Sequence, residues 1–183
     1  MTLDLKKLSK SISHALRHEP WLYEIELDDQ GWVPVDDLLP TLQRQRPEWK
    51  GLSQADLIQM INVSSKKRHE IDGDRIRALY GHSLPGKLLK KKASPPEQLY
   101  HGTATSIVSH IMEVGLLPMG RQYVHLSVNV DIAKEVGRRK DKKPVILLIT
   151  AKEAYANGVD FYMGNDAVWL ADRVPVEFIK IYP

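Results

Sequence analysis

The sequence predicts an α+β protein made of two lobes, the first of them with the element order of a winged helix. Three segments with helical spacing precede a short hairpin in the first half, whereas short strands alternate irregularly with helices in the second half. Residues 84–98 are rich in Pro, Gly, Ser and Lys, a composition typical of a linker. We therefore divide the chain into a lobe over residues 1–83, a linker over 84–98 and a lobe over 99–183.

Apolar spacing and turn signals predict the elements of the first lobe. In chain order these are a helix at 5–16, a strand at 31–35, a helix with Asp36 as its N-cap, a helix with Ser53 as its N-cap, and a hairpin at 68–79. Pro20 ends the first helix, and an Asp-Gly pair supplies the turn of the hairpin. Helices followed by a small hairpin indicate a winged-helix lobe.

The second lobe is predicted to contain several short strands. The strands are expected at 99–101, 123–127, 145–149, 167–170 and 176–181, with helices at 107–112 and from about 131. Gly115 closes the first of these two helices.

Composition narrows the function classes without selecting one. The net charge of +3 arises mainly in residues 84–98, which carry four lysines against one glutamate, so bulk charge does not establish an RNA partner. The chain has no cysteine, which excludes disulfides and thiolate chemistry. No apolar run approaches the ~20 residues that span a bilayer, and we expect a cytoplasmic monomer without a membrane partner.

Familiar nucleotide and hydrolase motifs are absent, but four polar clusters could carry chemistry. The sequence contains no P-loop, no G-x-G-x-x-G after a strand, no H-E-x-x-H and no G-x-S-x-G. The clusters are Arg17-His18-Glu19-Pro20, Ser64-Ser65-Lys66-Lys67-Arg68, His101-Gly102-Thr103 and Gly120-Arg121-Gln122-Tyr123-Val124-His125-Leu126-Ser127. In the third cluster the glycine could let a ligand approach the backbone closely, and in the fourth His125 and Ser127 share a strand face.

Each cluster also has a purely structural interpretation. Arg17 and His18 could simply be basic residues favoured at a helix C-terminus, and Arg68 could lie in a solvated loop. A turn would explain His101-Gly102-Thr103 about as well as a ligand site, and a buried histidine bonded to the backbone would explain His125.

Taken together and in order, the clusters resemble the KptA family of RNA 2′-phosphotransferases. The resemblance rests on Leu16-Arg17-His18-x-Pro20, Gly31-Trp32, Lys66-Lys67-Arg68, Ile76-Arg77-Ala78, Gly81-His82-Ser83, Tyr100-His101-Gly102-Thr103, Arg121-x-x-Val124-His125-Leu126-Ser127 and Val168-Trp169-Leu170. It extends from about residue 8 to residue 180. One departure is His69, where the family usually has Phe.

The resemblance implies a winged-helix lobe followed by a lobe of the ADP-ribosyltransferase fold, and a reaction in two steps. The 2′-phosphate of an RNA, such as a tRNA splice junction, attacks NAD⁺ and expels nicotinamide, which leaves an ADP-ribosylated 2′-phospho-RNA. The neighbouring ribose hydroxyl then attacks phosphorus, giving 2′-hydroxyl RNA and ADP-ribose 1″,2″-cyclic phosphate. NAD⁺ is thus a co-substrate, and no metal is expected.

The resemblance also assigns residues. The family's essential Arg-His-Arg-Arg set corresponds to Arg17, His18, Arg68 and Arg121. Its NAD⁺ pocket corresponds to His101, Gly102 and Thr103, with His125 and Ser127 beside it, and Lys67 is expected to contact an RNA phosphate. Arginine forks suit phosphate recognition, and His18 is the one member of the set able to transfer a proton near neutrality.

Two other functions remain open from the sequence. An ADP-ribosyltransferase would stop at the adduct, but the only E-x-E, the Glu24-Ile25-Glu26 run, lies in the first lobe rather than late in the chain. A nucleic-acid-binding winged-helix module would need no catalytic set, yet all four residues of that set are present.

Overall fold

The computed structural model describes residues 2–183, which form two compact units that divide between Leu89 and Lys90. Each unit is a mixture of helices and one antiparallel sheet, of three strands in the first unit and six in the second. No helix within residues 2–183 is long and apolar enough to cross a membrane. The division into lobes for RNA and for NAD⁺ stays a prediction.

The first unit packs three helices against a small sheet. Its elements are α1 (Leu5–Arg17), a 3-10 helix (Pro20–Tyr23), β1 (Val33–Pro34), α2 (Val35–Gln45), a 3-10 helix (Pro47–Trp49), α3 (Gln54–Val63), β2 (His69–Asp72) and β3 (Arg75–Ala78). The sheet order is β1-β3-β2, and every pair is antiparallel. The apolar stripe of α1, including Leu8, Ile12 and Leu16, is fully buried in the core of this unit.

The N-termini of α2 and α3 show whether the two predicted N-cap residues act as caps. Ser53 is the N-cap of α3 as predicted. The backbone N–H and the hydroxyl of Ser53 donate to the Asp56 carboxylate, at 2.8 Å and 2.7 Å. Asp36 is not a cap, because α2 already begins at Val35 with Pro34 in the cap position. The N–H of Val35 instead donates to the carbonyl of Asp74 in the hairpin turn, at 2.8 Å, so tertiary structure replaces the side-chain cap.

The second unit is built on the six-stranded sheet. Its elements are β4 (Leu99–Thr103), a 3-10 helix (Thr105–Ile107), α4 (Val108–Val114), β5 (Val124–Ser127), α5 (Val130–Gly137), β6 (Val145–Ile149), α6 (Ala151–Ala156), β7 (Phe161–Met163), β8 (Val168–Ala171), a 3-10 helix (Val176–Phe178) and β9 (Ile179–Ile181). The strand order is β7-β8-β5-β4-β6-β9, again antiparallel throughout.

Three features of this unit differ from the expected elements. Helix α6 and strand β7 were not predicted, because six and three residues are too few to show a hydrophobic period. The strand expected at 176–181 begins only at Ile179. Pro175, with φ −62°, precedes a 3-10 turn over Val176–Phe178 that occupies the first half of the predicted strand.

Helix α5 lies unusually close to β4 at Gly102. A Cβ atom placed on Gly102 would lie 2.0 Å from the carbonyl oxygen of Ala133, and Gly137 packs its own backbone against the Cα of Gly102. The close neighbour of Gly102 is therefore helix backbone, which cannot move away as a flexible side chain would. This contact fixes the position of β4 and of the residues on either side of Gly102.

We expect Gly102→Ala to destabilise the protein by about 1–3 kcal/mol through overpacking against α5. Thermal unfolding followed by circular dichroism measures the effect, which corresponds to a fall of roughly 4–8 °C per kcal/mol for a unit of this size. Gly120→Ala is the matched control, because no atom lies within 4 Å of the added methyl group. Equal melting temperatures for the two variants would contradict the close packing.

Candidate active site

The C-terminus of α1 is joined to the segment that follows the hairpin. Arg17 is the last residue of α1, and His18 occupies the C-cap position. The N–H of Ser83 donates to the carbonyl of Arg17 at 2.8 Å, and Ser83 Oγ lies 2.7 Å from Nδ1 of His18. Gly81, with φ +87°, permits the turn that returns the chain to α1 after β3. These bonds restrain the His18 ring.

Two guanidinium groups converge near this helix end. The Arg17 guanidinium carbon lies 5.0 Å from the centroid of the Tyr80 ring. Arg68 immediately precedes β2, its carbonyl accepts from the N–H of Leu79 at 2.9 Å, and its Nη1 donates to Ser64 Oγ at 3.5 Å. Each arginine is therefore held by neutral partners on the elements beside it.

His69 is a buried neutral residue beside these arginines. Its side chain is 3% exposed, and its Nε2 lies 3.0 Å from Ser13 Oγ on α1. Burial, followed by the positive charges of Arg17 and Arg68, lowers the pKa of His69 to about 3. The imidazole is thus uncharged at neutral pH and adds no third positive charge to the pair.

Arg17, His18 and Arg68 line one groove in the first unit, with a volume of about 690 Å³. Its walls come from α1 and from the end of α3 with the loop that follows. The lining residues are Leu5, Lys6, Ser9, Lys10, Ser13, His14, Arg17, His18, Met60, Val63, Ser64, Ser65 and Arg68. Lys67 is exposed and does not belong to this lining.

Apart from Arg17, the polar residues of α1 that line the groove were missed from the sequence, although a signal for them exists. Lys6, Lys10 and His14 are spaced by four residues, and Arg17 follows His14 by three, which places all four on one face of a helix. The helix prediction rests on the apolar stripe of this segment alone. The opposite, polar stripe would have predicted the groove wall.

In the second unit the histidine of His101-Gly102-Thr103 bridges two strands. Strands β4 and β5 pair in register only at Tyr100 and Ser127, and His101 Nδ1 then donates to the carbonyl of His125 at 2.9 Å. Burial lowers the pKa of His101. The bond to the His125 carbonyl raises it by less, so the net shift is downwards. The neutral ring therefore carries its proton on Nδ1 and presents Nε2 as an acceptor. His101 is thus a histidine of this region that bonds to the backbone.

Alternation along the strands separates the other predicted residues of this region. His101 and Thr103 share one face of β4, whereas Gly102 lies on the opposite face, to which the register also assigns His125 and Ser127. Thr103 is fully buried, and its hydroxyl has no hydrogen-bond partner within residues 2–183. His101 is partly exposed, so it is the more accessible of the two to a ligand.

Arg121 belongs to the second unit and lies before the strand expected at 123–127. It occupies the exposed turn before β5, which begins at Val124, and its N–H donates to the carbonyl of Pro118 at 3.1 Å. Met119 in the same turn has the left-handed backbone conformation, with φ +57°, so the chain turns here and the strand begins only at Val124. The two-residue alternation shared by His125 and Ser127 therefore does not extend to Arg121.

Within the part of the chain that the structure describes, no three residues of the His, Asp and Glu type are grouped so that they could hold an ion. The polar groups of the groove are guanidinium, ammonium, imidazole and hydroxyl groups, which suit an anion.

Comparison with known proteins identifies close relatives over nearly the whole chain. The model of the RNA 2′-phosphotransferase, Tpt1/KptA family matches residues 4–173. A protein of Acetivibrio thermocellus is 52% identical over 178 residues, which cover 97% of both chains. One of Bacillus thuringiensis is 53% identical over 174 residues, 95% of this chain and 94% of the relative. One of Hahella chejuensis is 39% identical over 183 residues, 99% and 96% of the two chains. All three carry the name "Probable RNA 2′-phosphotransferase".

The burial of His69 predicts a specific pH dependence of stability. Its pKa is about 3 when folded and ~6.5 when unfolded, so between these values the unfolded chain binds the extra proton. The contribution of His69 to the free energy of unfolding should therefore fall by about 1.4 kcal/mol per pH unit as the pH decreases from ~6 towards 4. His69→Phe and the neutral polar variant His69→Gln should both remove this contribution. Urea denaturation at several pH values measures it, and parallel curves for the wild type and both variants would refute the assignment.

Proposed function

Since the chain belongs to the RNA 2′-phosphotransferase, Tpt1/KptA family, we propose that it removes a 2′-phosphate from RNA, such as a tRNA splice junction, and transfers it to NAD⁺. The observation that carries this proposal is the groove in which Arg17, His18 and Arg68 meet. Two guanidinium groups and an imidazole form a site for a phosphate group.

We assign the two units to the two substrates. The first unit, with its helices followed by a three-stranded sheet, is proposed to be a winged-helix lobe that binds the phosphate of RNA. The second, with its six-stranded antiparallel sheet, is proposed to be the ADP-ribosyltransferase-like lobe that binds NAD⁺. The element order of each unit supports this assignment.

Arg17 and Arg68 are proposed to hold the 2′-phosphate. A guanidinium group stays charged at any physiological pH and donates two parallel hydrogen bonds to phosphate oxygens. The Arg17 guanidinium faces the Tyr80 ring and Arg68 donates to Ser64 Oγ, and these contacts position the two side chains in the groove lining. Lys67, exposed on the loop before β2, would contact a neighbouring RNA phosphate.

His18 is proposed to handle the proton of the second step. When the ribose 2″-hydroxyl attacks phosphorus, it loses a proton, a new P–O bond forms, and the bond to the RNA 2′-oxygen breaks. The released 2′-oxygen takes up a proton. Arginine cannot exchange protons near neutrality, whereas imidazole can. The bond between His18 Nδ1 and Ser83 holds the ring in place for this task.

The residues of the second unit fit a nucleotide substrate. His101 offers an acceptor at Nε2, and the buried Thr103 hydroxyl beside it has no hydrogen-bond partner within residues 2–183, so hydrogen-bonding capacity is available on one face of β4. His125 and Ser127 lie on the opposite face of these strands and are proposed to contact the nucleotide from there. On that face α5 packs against Gly102, so the role proposed for Gly102 is to position β4 rather than to touch the ligand. NAD⁺ supplies the electrophilic ribose carbon from which neutral nicotinamide departs, and the protein's part in that step is positioning.

Arg121 is proposed to act in the second step, where negative charge accumulates on the phosphorus oxygens. Its exposed position in the turn before β5 leaves the guanidinium accessible to substrate. Arg17 and Arg68 would serve both steps, because the phosphate must be held throughout.

We expect the protein to dephosphorylate an oligonucleotide with one internal 2′-phosphate only when NAD⁺ is supplied, and to do so in the presence of EDTA. Chromatography of the RNA and of the nucleotide products measures the reaction, with the same RNA lacking the 2′-phosphate as control. A stable adduct would indicate an ADP-ribosyltransferase that stops after one step. Binding without any product would indicate a nucleic-acid-binding module. Either result overturns the proposal.

Arg121→Ala should slow the second step by about 100-fold or more while the first step continues. ADP-ribosylated RNA should then accumulate and be visible as a retarded band in a denaturing gel. Arg17→Ala is the contrasting variant, because loss of phosphate binding should abolish the adduct as well as the product. Equal loss of both steps in Arg121→Ala would refute this division of roles.

A further inference from the structure

The basic face of α1 continues beyond the proposed phosphate site. Lys10 and Lys6 line the same groove as Arg17, seven and eleven residues earlier on the helix. At a rise of about 1.5 Å per residue, Lys6 lies roughly 16 Å along the helix from Arg17. A single 2′-phosphate occupies one end of such a groove and leaves most of its length unused.

The two lysines differ from their neighbour on the helix. Lys7 lies outside the groove lining and forms an ion pair with Glu48 at 2.8 Å. Lys6 and Lys10 are exposed and form no ion pair with any of residues 2–183. Lys7 therefore forms an ion pair within the first unit, whereas Lys6 and Lys10 place their charges in the groove lining.

The rest of the groove is also suited to anions. Its lining, drawn from the described part of the chain, contains no Asp or Glu. Of its four serines, Ser9 and Ser65 offer hydroxyl donors, whereas Ser64 Oγ already donates to the Lys66 carbonyl at 2.8 Å and Ser13 Oγ lies 3.0 Å from Nε2 of His69. The Glu19 carboxylate, which lies outside the lining, is paired with Nε2 of His14 at 2.7 Å. Positive charge with hydroxyl donors along an open channel is typical of binding to a nucleic-acid backbone.

We propose that the groove along α1 binds the RNA strand on one side of the 2′-phosphorylated nucleotide, with Lys6 and Lys10 contacting its phosphodiester groups. The proposal rests on the function proposed above and adds a second binding region to it. The roughly 16 Å along α1 between Lys6 and Arg17 is long enough for more than one phosphodiester group of the strand. The strand is read through its backbone, which predicts little dependence on base sequence.

The test compares Lys6→Gln/Lys10→Gln with Lys7→Gln/Lys50→Gln, a control with the same change in net charge. Lys7 and Lys50 lie outside the groove lining. Two substrates are used, a dinucleotide with an internal 2′-phosphate and a decamer of mixed sequence that carries the same unit at its centre. Anisotropy of the fluorescently labelled decamer at several salt concentrations gives the affinity without any need for turnover.

The groove variant should raise the KM of the decamer by about fivefold relative to that of the dinucleotide, and its affinity for the decamer should depend less on salt. Loss of two phosphate contacts on a single strand lowers the slope of log K against log salt by about 1.4. The control variant should match the wild type in both measurements.

Two outcomes overturn the proposal: an equal rise of KM for both substrates, or the same salt slope for the groove variant and the control. Failure of the proposed function is a separate result. In that case the wild type consumes neither substrate, while the anisotropy comparison still decides whether the groove binds the strand.

Discussion

The candidate site depends on holding two positive charges, those of Arg17 and Arg68, in the lining of one groove. Like charges repel, and uncharged contacts support both side chains. Tyr80 faces one guanidinium, Ser64 bonds the other, and the buried His69, the first residue of β2, stays uncharged beside α1. Such uncharged contacts position the arginines and do not compete with a phosphate for them.

The two units position their polar residues by different means. In the first unit the positioning bonds are local to a helix end, where Ser83 ties the segment after the hairpin to Arg17 and His18. In the second unit backbone packing determines the position, since α5 approaches β4 so closely that only glycine fits at residue 102. Beyond the pairing of Tyr100 with Ser127, the His101 side chain joins β4 to β5 by donating a hydrogen bond to the carbonyl of His125. A rigid strand with a fixed tautomer is a suitable support for a directional hydrogen-bond acceptor.

Periodicity in the sequence predicted the longer elements and their antiparallel hairpin, because α1 and the 68–79 segment contain complete hydrophobic and turn patterns. It failed where tertiary contacts decide the outcome. The N–H of Val35 is bonded by the hairpin turn, so Asp36 is not needed as a cap, and Pro175 converts half of an expected strand into a 3-10 turn. The neutrality of His69 could not be predicted either. Its sequence neighbours are Arg68 and Glu70, whereas its burial and its bond to Ser13 depend on the packing of α1.

If the groove binds RNA as proposed, the charges of the two kinds of phosphate account for the use of arginine at one end of the groove and lysine along the rest. A 2′-phosphate is a monoester with a second pKa of ~6, so it is mainly a dianion at neutral pH, whereas each phosphodiester carries a single charge. Two restrained guanidinium forks match the geometry and charge of the dianion. Exposed lysines on flexible stems suit phosphodiesters, whose positions vary along a mobile strand. On these proposals, discrimination for the phosphorylated nucleotide would reside with Arg17 and Arg68, while Lys6 and Lys10 would contribute affinity that is independent of sequence.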